Sequence, residues 1–255
     1  MLKLQNVTMT FNKEMSKDLV KVALDNVSLQ INKGDFVTII GSNGSGKTTL
    51  LNVISGVHKI DNGEILLNNK NINNLKEHQR ARFLGRVFQD PLLGTAGSMS
   101  VLENLYLANQ KGSKRKLKWA FNKKDEEKFF NSVKELNLNI ENNLTQKIGL
   151  LSGGQRQAIT LLMSTLQKPD ILLLDEHTAA LDPKTAEVVL NLTETLINKH
   201  NLTTLMITHN MRDALKYGNR LIMFKSGKIV LDVKGREKDE LTIKDLLFKF
   251  EDIDS

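Results

Sequence analysis

The sequence predicts an α/β fold: a mostly parallel core sheet, an attached antiparallel β part, and an inserted helical part. Three observations predict it. Ile171–Leu174 is an unbroken apolar run, the pattern of a strand buried on both faces. From there to about residue 224 strand-like and helix-like segments alternate, as a parallel sheet requires. Upstream, the β-branched strand Asp35–Ile40 runs into the glycine-rich segment Gly41–Thr48 and then into a helical pattern over Thr49–Ile54.

The 255 residues are read as one domain over 1–255, with a core formed by 1–90 and 169–255 and a helical subdomain over 91–168. The chain has no cysteine, which excludes disulfides, thiolate metal sites and thiol chemistry and suits a reducing compartment. Met1–Val7 alternates like a strand, so no signal peptide is expected. No apolar stretch has the length of a membrane span, so membrane association is expected through partners, with the chain on the cytoplasmic side.

In chain order, Leu2–Phe11 and Val22–Ile31 alternate as strands, and the polar stretch Asn12–Lys21 joins them as a hairpin excursion. Asn32-Lys33-Gly34 is a tight turn into the next strand. Asp61-Asn62-Gly63-Glu64 is expected as a hairpin turn leading into Ile65–Leu67. From about Pro91 to Lys168 helices dominate. Ser100–Asn109 and Asp125–Leu138 carry apolar residues near helical spacing, with Val101, Leu105, Phe129 and Val133 among them; Asp125, Glu126 and Glu127 favour a helix start, and Gln155–Leu166 is a further helix entered through Ser152-Gly153-Gly154. Asp182-Pro183 caps and opens a helix over Lys184–Lys199. Thr203–Thr208 is a strand, Met211–Tyr217 a short helix, Leu221–Phe224 and Lys228–Asp232 a hairpin, and Thr242–Phe250 a last amphipathic helix.

Gly41-Ser42-Asn43-Gly44-Ser45-Gly46-Lys47-Thr48 fits G-x-x-x-x-G-K-[ST], a loop whose backbone wraps an anion at a helix N-terminus. Lys47 is placed to reach the β- and γ-phosphates, and the Thr48 hydroxyl to ligate Mg²⁺, with Thr49 following in the first helical turn. The loop alone implies binding of a nucleoside triphosphate. Ile171–Leu174 ends in Asp175-Glu176, so the strand delivers two carboxylates to its C-terminal edge, where ligands of open α/β sheets sit.

Leu151-Ser152-Gly153-Gly154-Gln155, followed by Arg156-Gln157-Ala158, narrows the class. With the phosphate loop upstream and the Asp-Glu strand downstream, the chain resembles the ATP-binding cassette (ABC) ATPases along nearly its whole length. The resemblance implies ATP and Mg²⁺ as cofactors, with Asp175 holding the metal and Glu176 polarising the attacking water. It gives Gln89, in Val87-Phe88-Gln89-Asp90, the role of sensing metal and γ-phosphate, and His209, in Ile207-Thr208-His209, contact with the γ-phosphate. Phe11 takes the place of the adenine-stacking aromatic, and Asp182 that of a loop touching an opposite subunit. Two copies are implied to pack head to tail, so that Ser152, Gly153, Gly154 and Gln155 of one complete the phosphate site of the other. His58, His78 and His200 match no motif and are read as surface residues.

Where many cassettes read Asp-Glu-Pro-Thr, this chain has Asp-Glu-His-Thr, and His177 is read as a tolerated loop substitution or as a group titrating near neutrality. The run Asp175–Pro183, with Phe88–Ala96 and Gly149–Gln157, resembles a subgroup of bacterial importer ATPases. That subgroup implies a transmembrane permease, a substrate-binding lipoprotein and an aromatic amino acid, tryptophan or tyrosine, as cargo. The permease would press into the groove between the Gln89 loop and the helical part, around Gly94–Met99.

The net charge of +7 leaves nucleic acid, an anionic membrane surface, or ATP itself as polyanionic partners. Lys111, Lys114, Arg115, Lys116, Lys118, Lys123 and Lys124 fall together with no acid among them, and Trp119 and Phe121 interleave. The run is read as a solvated loop, or as a face toward the inner leaflet beside the permease. Two readings compete with the importer: a soluble ABC ATPase without a transport role, and a cassette protein acting on nucleic acid. Against the second stand the single cassette and the lack of a long coiled-coil insertion or a basic tail, with no nucleic-acid-binding module around the basic run, so no nucleic-acid partner is expected.

Overall fold

The computed structural model describes residues 1–14, 19–111 and 123–251. In chain order the elements are β1 (Leu2–Phe11), β2 (Lys21–Ile31), β3 (Phe36–Gly41), α1 (Lys47–Ser55), β4 (Asn62–Leu67), β5 (Lys70–Asn71), α2 (Glu77–Arg80), β6 (Leu84–Val87), α3 (Val101–Asn109) and α4 (Lys123–Lys134). They continue with α5 (Gly153–Thr165), β7 (Ile171–Asp175), α6 (Pro183–His200), β8 (Thr203–Ile207), α7 (Met211–Lys216), β9 (Arg220–Lys225), β10 (Lys228–Lys234), α8 (Arg236–Asp239) and α9 (Ile243–Glu251). Two compact units result, Met1–Arg80 with Thr203–Ser255, and Ala81–Leu202. Among the described residues no helix is long and apolar enough to cross a membrane.

In the first unit, β1 lies between β2 and β4, antiparallel to both, with Leu2 opposite Ile31 and Leu67. Leu2, Leu4, Val7 and Met9 face inward, and the alternation slips by one around Asn6, where φ is 49° and the register shifts on both sides. A bulge of this kind flips the following side chains back to the buried face. The expected turn at Asp61–Glu64 is instead the start of β4, because β1 offers Thr8 and Gln5 as partners to Asn62 and Glu64. The chain turns two residues past β4, at Asn68-Asn69, whose φ values of 49° and 63° suit a tight two-residue hairpin.

The same unit holds β3 between β8 and β9, parallel to both, with β10 antiparallel on β9. Val37, Ile39 and Ile40 of β3 are fully buried. The amphipathic α9 puts Leu246 into a cluster with Ile40, Ala214, Leu221 and Met223. Arg80 secures the far end of α1: its guanidinium donates to the carbonyls of Val53, Ile54, Asn73 and Leu75 at 2.7–3.1 Å. Buried at 2% exposure, it satisfies carbonyls that the last turn of α1 leaves without helical partners.

In the second unit β6 and β7 pair in parallel, Val87 beside Leu174. At four residues, β6 is too short to show a period and was not legible in the sequence. Val101 and Leu105 of α3 and Phe129 and Val133 of α4, among the apolar residues expected of these two helices, form one buried cluster with Ala158, Ile159 and Leu162 of α5. The basic run lies outside the described residues from 112 to 122. Lys111 is described and exposed, and its ammonium donates to the Leu84 carbonyl of β6 at 2.9 Å, with partial burial of that group lowering its pKa.

Candidate nucleotide-binding and catalytic site

The glycine-rich loop connects β3 to α1. Gly46 begins α1 at φ 108°, a conformation for which a side chain is unsuited, and a Cβ there would lie 2.4 Å from the Ala23 carbonyl. The helix opens with no side-chain cap and no acidic residue in its first turn. By contrast α3, α5 and α6 are each capped by a side chain, Ser100, Ser152 and Asp182. An α-helix leaves its first N–H groups unpaired, so an uncapped N-terminus set in a glycine loop is suited to an anion. Ser45 Oγ, buried in the same loop, has no hydrogen-bond partner. The Lys47 ammonium, 5% exposed, lies on the loop itself and donates to the Gly41 and Ser42 carbonyls at 2.9 and 3.0 Å. Ser42, Asn43, Gly44 and Thr48 are exposed and Thr49 is half-buried. A triphosphate fits this loop: it offers acceptors to an orphan hydroxyl, uncapped amides and an ammonium.

Lys21, a neighbour of this loop, and the contact of His58 with Phe11 were missed in the sequence. The hairpin register sets Lys21 opposite Phe11, and the Lys21 ammonium is 3.2 Å from where a Cβ on Gly44 would stand. Phe11 is half-buried at the end of β1, and His58 meets it edge-on, ring centroids 5.3 Å apart at 87°. His58, expected as a plain surface residue, is therefore a support of the aromatic. Only packing between the end of β1 and the segment after α1 brings them together, and neither residue carries a local signal of it. His209 stands exposed just past β8, between Thr208, whose backbone N–H donates to Ile39, and Asn210, whose side chain caps α7.

In the second unit β7 ends at Asp175, 8% exposed, with the Arg86 guanidinium of β6 at 3.6 Å from its carboxylate. Glu176 follows at φ 47°, left-handed backbone for a residue with a side chain, a strain that recurs at functional positions. His177 is 2% exposed, its Nε2 3.1 Å from Thr193 Oγ1 of α6, and burial pushes its pKa down to about 4. Titration near neutrality, one of the two sequence readings, is thereby overturned: the ring is a neutral interior group. Gln89 is exposed past β6, and Asp90 beside it caps the turn Pro91–Gly94 by accepting from Leu92 N–H.

Ser152 and Gln155 form a reciprocal capping box at the start of α5, and the Gln155 amide also donates to Leu138 O at 3.2 Å. Gly154 is buried, and a Cβ there would lie 2.2 Å from Thr185 Cγ2 of α6, so α5 and α6 touch at this glycine. Asp182 caps α6 by accepting from Thr185 N–H at 3.1 Å, and hydrogen bonds from Thr185 hold its carboxyl below the usual range. Asn104 of α3, 1% exposed, is a further residue that sequence reasoning missed. Its amide binds the carbonyls of Ala96 and Ser100 and accepts from Ala96 N–H, fixing the loop after Gln89.

The profile of the ABC transporter family matches residues 24–179. A tyrosine transport ATP-binding protein of Clostridioides difficile is 47% identical over 98% of this chain and 99% of its own length. A phosphonates import ATP-binding protein of Lactobacillus acidophilus is 33% identical over 92% of each. Among solved structures, the dimeric post-hydrolysis state of the ATP-binding cassette MJ0796 of Methanocaldococcus jannaschii, bound to ADP and Pi, superposes with a TM-score of 0.77 at 32% identity, covering 92% of this chain and 98% of that one. The ADP conformation of the cassette MJ1267 superposes at 0.79 with 31% identity, covering 98% and 97%. An uncapped helix behind a glycine loop, two carboxylates at a strand end and the capped Ser-Gly-Gly helix thus occur in a chain that belongs to the ABC transporter family, as an ATP-binding, ATP-hydrolysing subunit.

Proposed function

We propose that this chain is the ATPase of a bacterial importer, working as a head-to-tail pair beneath a transmembrane permease, with an aromatic amino acid of the tyrosine class as cargo. The observation that carries this reading is the 47% identity, over nearly the full length of both chains, to a protein described as serving tyrosine transport. Phe11 stacks on the adenine, and Lys47 with the amides of Gly41–Thr48 binds the phosphates. Mg²⁺ supplies charge neutralisation at the phosphates. Each donor that the family resemblance assigns to it, the Thr48 hydroxyl, the Gln89 amide and the Asp175 carboxylate, is a hard oxygen, the ligand type that suits Mg²⁺. Glu176 orients and polarises the attacking water, and His209 contacts the γ-phosphate. Ser152, Gly153, Gly154 and Gln155 of the second copy, together with its Asp182 loop, close on the nucleotide.

The permease is assigned to a cavity of about 270 Å³ in the second unit, lined by Arg86, Gly94, Ala96, Asn104, Leu107 and Lys111. Leu92, Leu93 and Leu107, 49%, 71% and 53% exposed, give that neighbourhood apolar side chains for a partner to cover. The subunit then sits peripherally at the inner face of the membrane, and a substrate-binding lipoprotein delivers cargo from outside.

The test replaces Glu176 with Gln in the producing cell and follows uptake of labelled tyrosine. Loss of tyrosine uptake, with the variant recovered as an ATP-bound dimer on a multi-span membrane protein, is the expected result. Unchanged uptake of tyrosine and of tryptophan would overturn the cargo. Recovery without any membrane protein would overturn the importer in favour of a soluble ATPase.

A further inference from the structure

Glu176 occupies left-handed backbone, at φ 47°. For a residue with a side chain that conformation is strained, and it persists only where the surroundings over-determine it. On its N-terminal side the chain is fixed by β7, whose Leu174 pairs with Val87. On its C-terminal side the next residue is His177, and its ring is clamped to α6. Thr193 donates its hydroxyl hydrogen to the Val189 carbonyl at 2.7 Å, so its oxygen is left to accept from the imidazole at 3.1 Å. That assignment makes Nε2 of His177 the donor and its other nitrogen the unprotonated one.

The same helix holds the far end of the segment. Asp182 caps α6 at Thr185, and between the two attachments the chain turns through Ala179 N–H to Glu176 O and Leu181 N–H to Thr178 O. Residues 177–182 are therefore pinned at both ends to one rigid element, α6, whose Thr193 and Val189 are 0% and 1% exposed.

We infer that His177, through its hydrogen bond to Thr193, is a positioning residue for hydrolysis: it fixes the backbone from which Glu176 reaches the attacking water. The inference rests on the reading of Glu176 as the group that polarises that water. His177 touches neither water nor nucleotide. Misplacing a catalytic carboxylate by a fraction of an ångström lowers turnover without weakening ground-state binding.

The test is steady-state ATPase of the full chain in four variants, with fluorescent-nucleotide affinity and thermal melting alongside. Thr193→Val and His177→Leu remove the bond, whereas Thr193→Ser and His177→Gln retain an acceptor and a donor. The expected result is kcat lowered on the order of tenfold in the first pair, with KM and nucleotide affinity within about twofold of the parent. The second pair should recover kcat to within about twofold. Unchanged kcat in a folded Thr193→Val chain overturns the inference, and so does a parallel loss of kcat and nucleotide affinity. Thr193→Val is close to isosteric, so it decides the matter even if His177→Leu does not fold. Glu176→Gln separates the two readings: an inactive Glu176→Gln beside a normal Thr193→Val sinks the tether alone, and an active Glu176→Gln sinks both.

Discussion

Acidification should destabilise this fold through one interior ring. His177 is 2% exposed and its pKa is about 4 in the folded chain, lowered by burial, against about 6.5 when unfolded. The unfolded chain therefore binds the proton more readily between those values, so stability rises with pH across that window. The contribution is fully present above about pH 6.5 and is lost as pH falls toward 4, by about 3.4 kcal/mol in total. Between pH 7 and pH 5 the expected loss from this residue is about 1.8 kcal/mol. His177→Gln keeps a donor for Thr193 and cannot titrate. Urea unfolding of both chains at pH 7 and pH 5 gives the difference of differences, in which His200, also lowered by burial, and the remaining titrating groups cancel. A value near 2 kcal/mol is expected. Equal pH dependence in the two chains would refute a buried, neutral His177.

Lys47→Ala should weaken nucleotide binding by roughly one to two orders of magnitude, since charge-assisted bonds contribute about 1.5–3 kcal/mol, and calorimetric titration with ATP checks it. Arg80→Met leaves the carbonyls of Val53, Ile54, Asn73 and Leu75 without this donor and should cost about 3 kcal/mol, read as a lowered urea midpoint. Gly154→Ala sets a methyl against Thr185 and should cost about 1–3 kcal/mol, and adding Thr185→Ser, which removes the opposing methyl, should restore most of it.

The order and type of the major elements were legible because each carried its own period or cap. Ile171–Leu174 is β7, buried on both faces as an unbroken apolar run requires, and Asp182-Pro183 opens α6 as a cap followed by a first-turn proline should. The short pieces were not legible. β6 spans four residues, and the turn placed at Asp61–Glu64 became a strand because β1, some sixty residues earlier, supplied its partner.

The sequence by itself determined the chemistry: the phosphate loop, the Asp-Glu pair and the Ser-Gly-Gly helix start are contiguous motifs, and the family resemblance they carry names the class of reaction. Tertiary structure alone decided which remote side chains serve them. His58 supports Phe11, Asn104 holds the loop after Gln89, and Thr193 turns His177 from a loop substitution into an interior anchor. Such pairings join residues that lie 8 to 47 positions apart, with no period linking them. A contact of that kind is fixed by which faces pack, and packing belongs to the whole chain, not to any stretch of it.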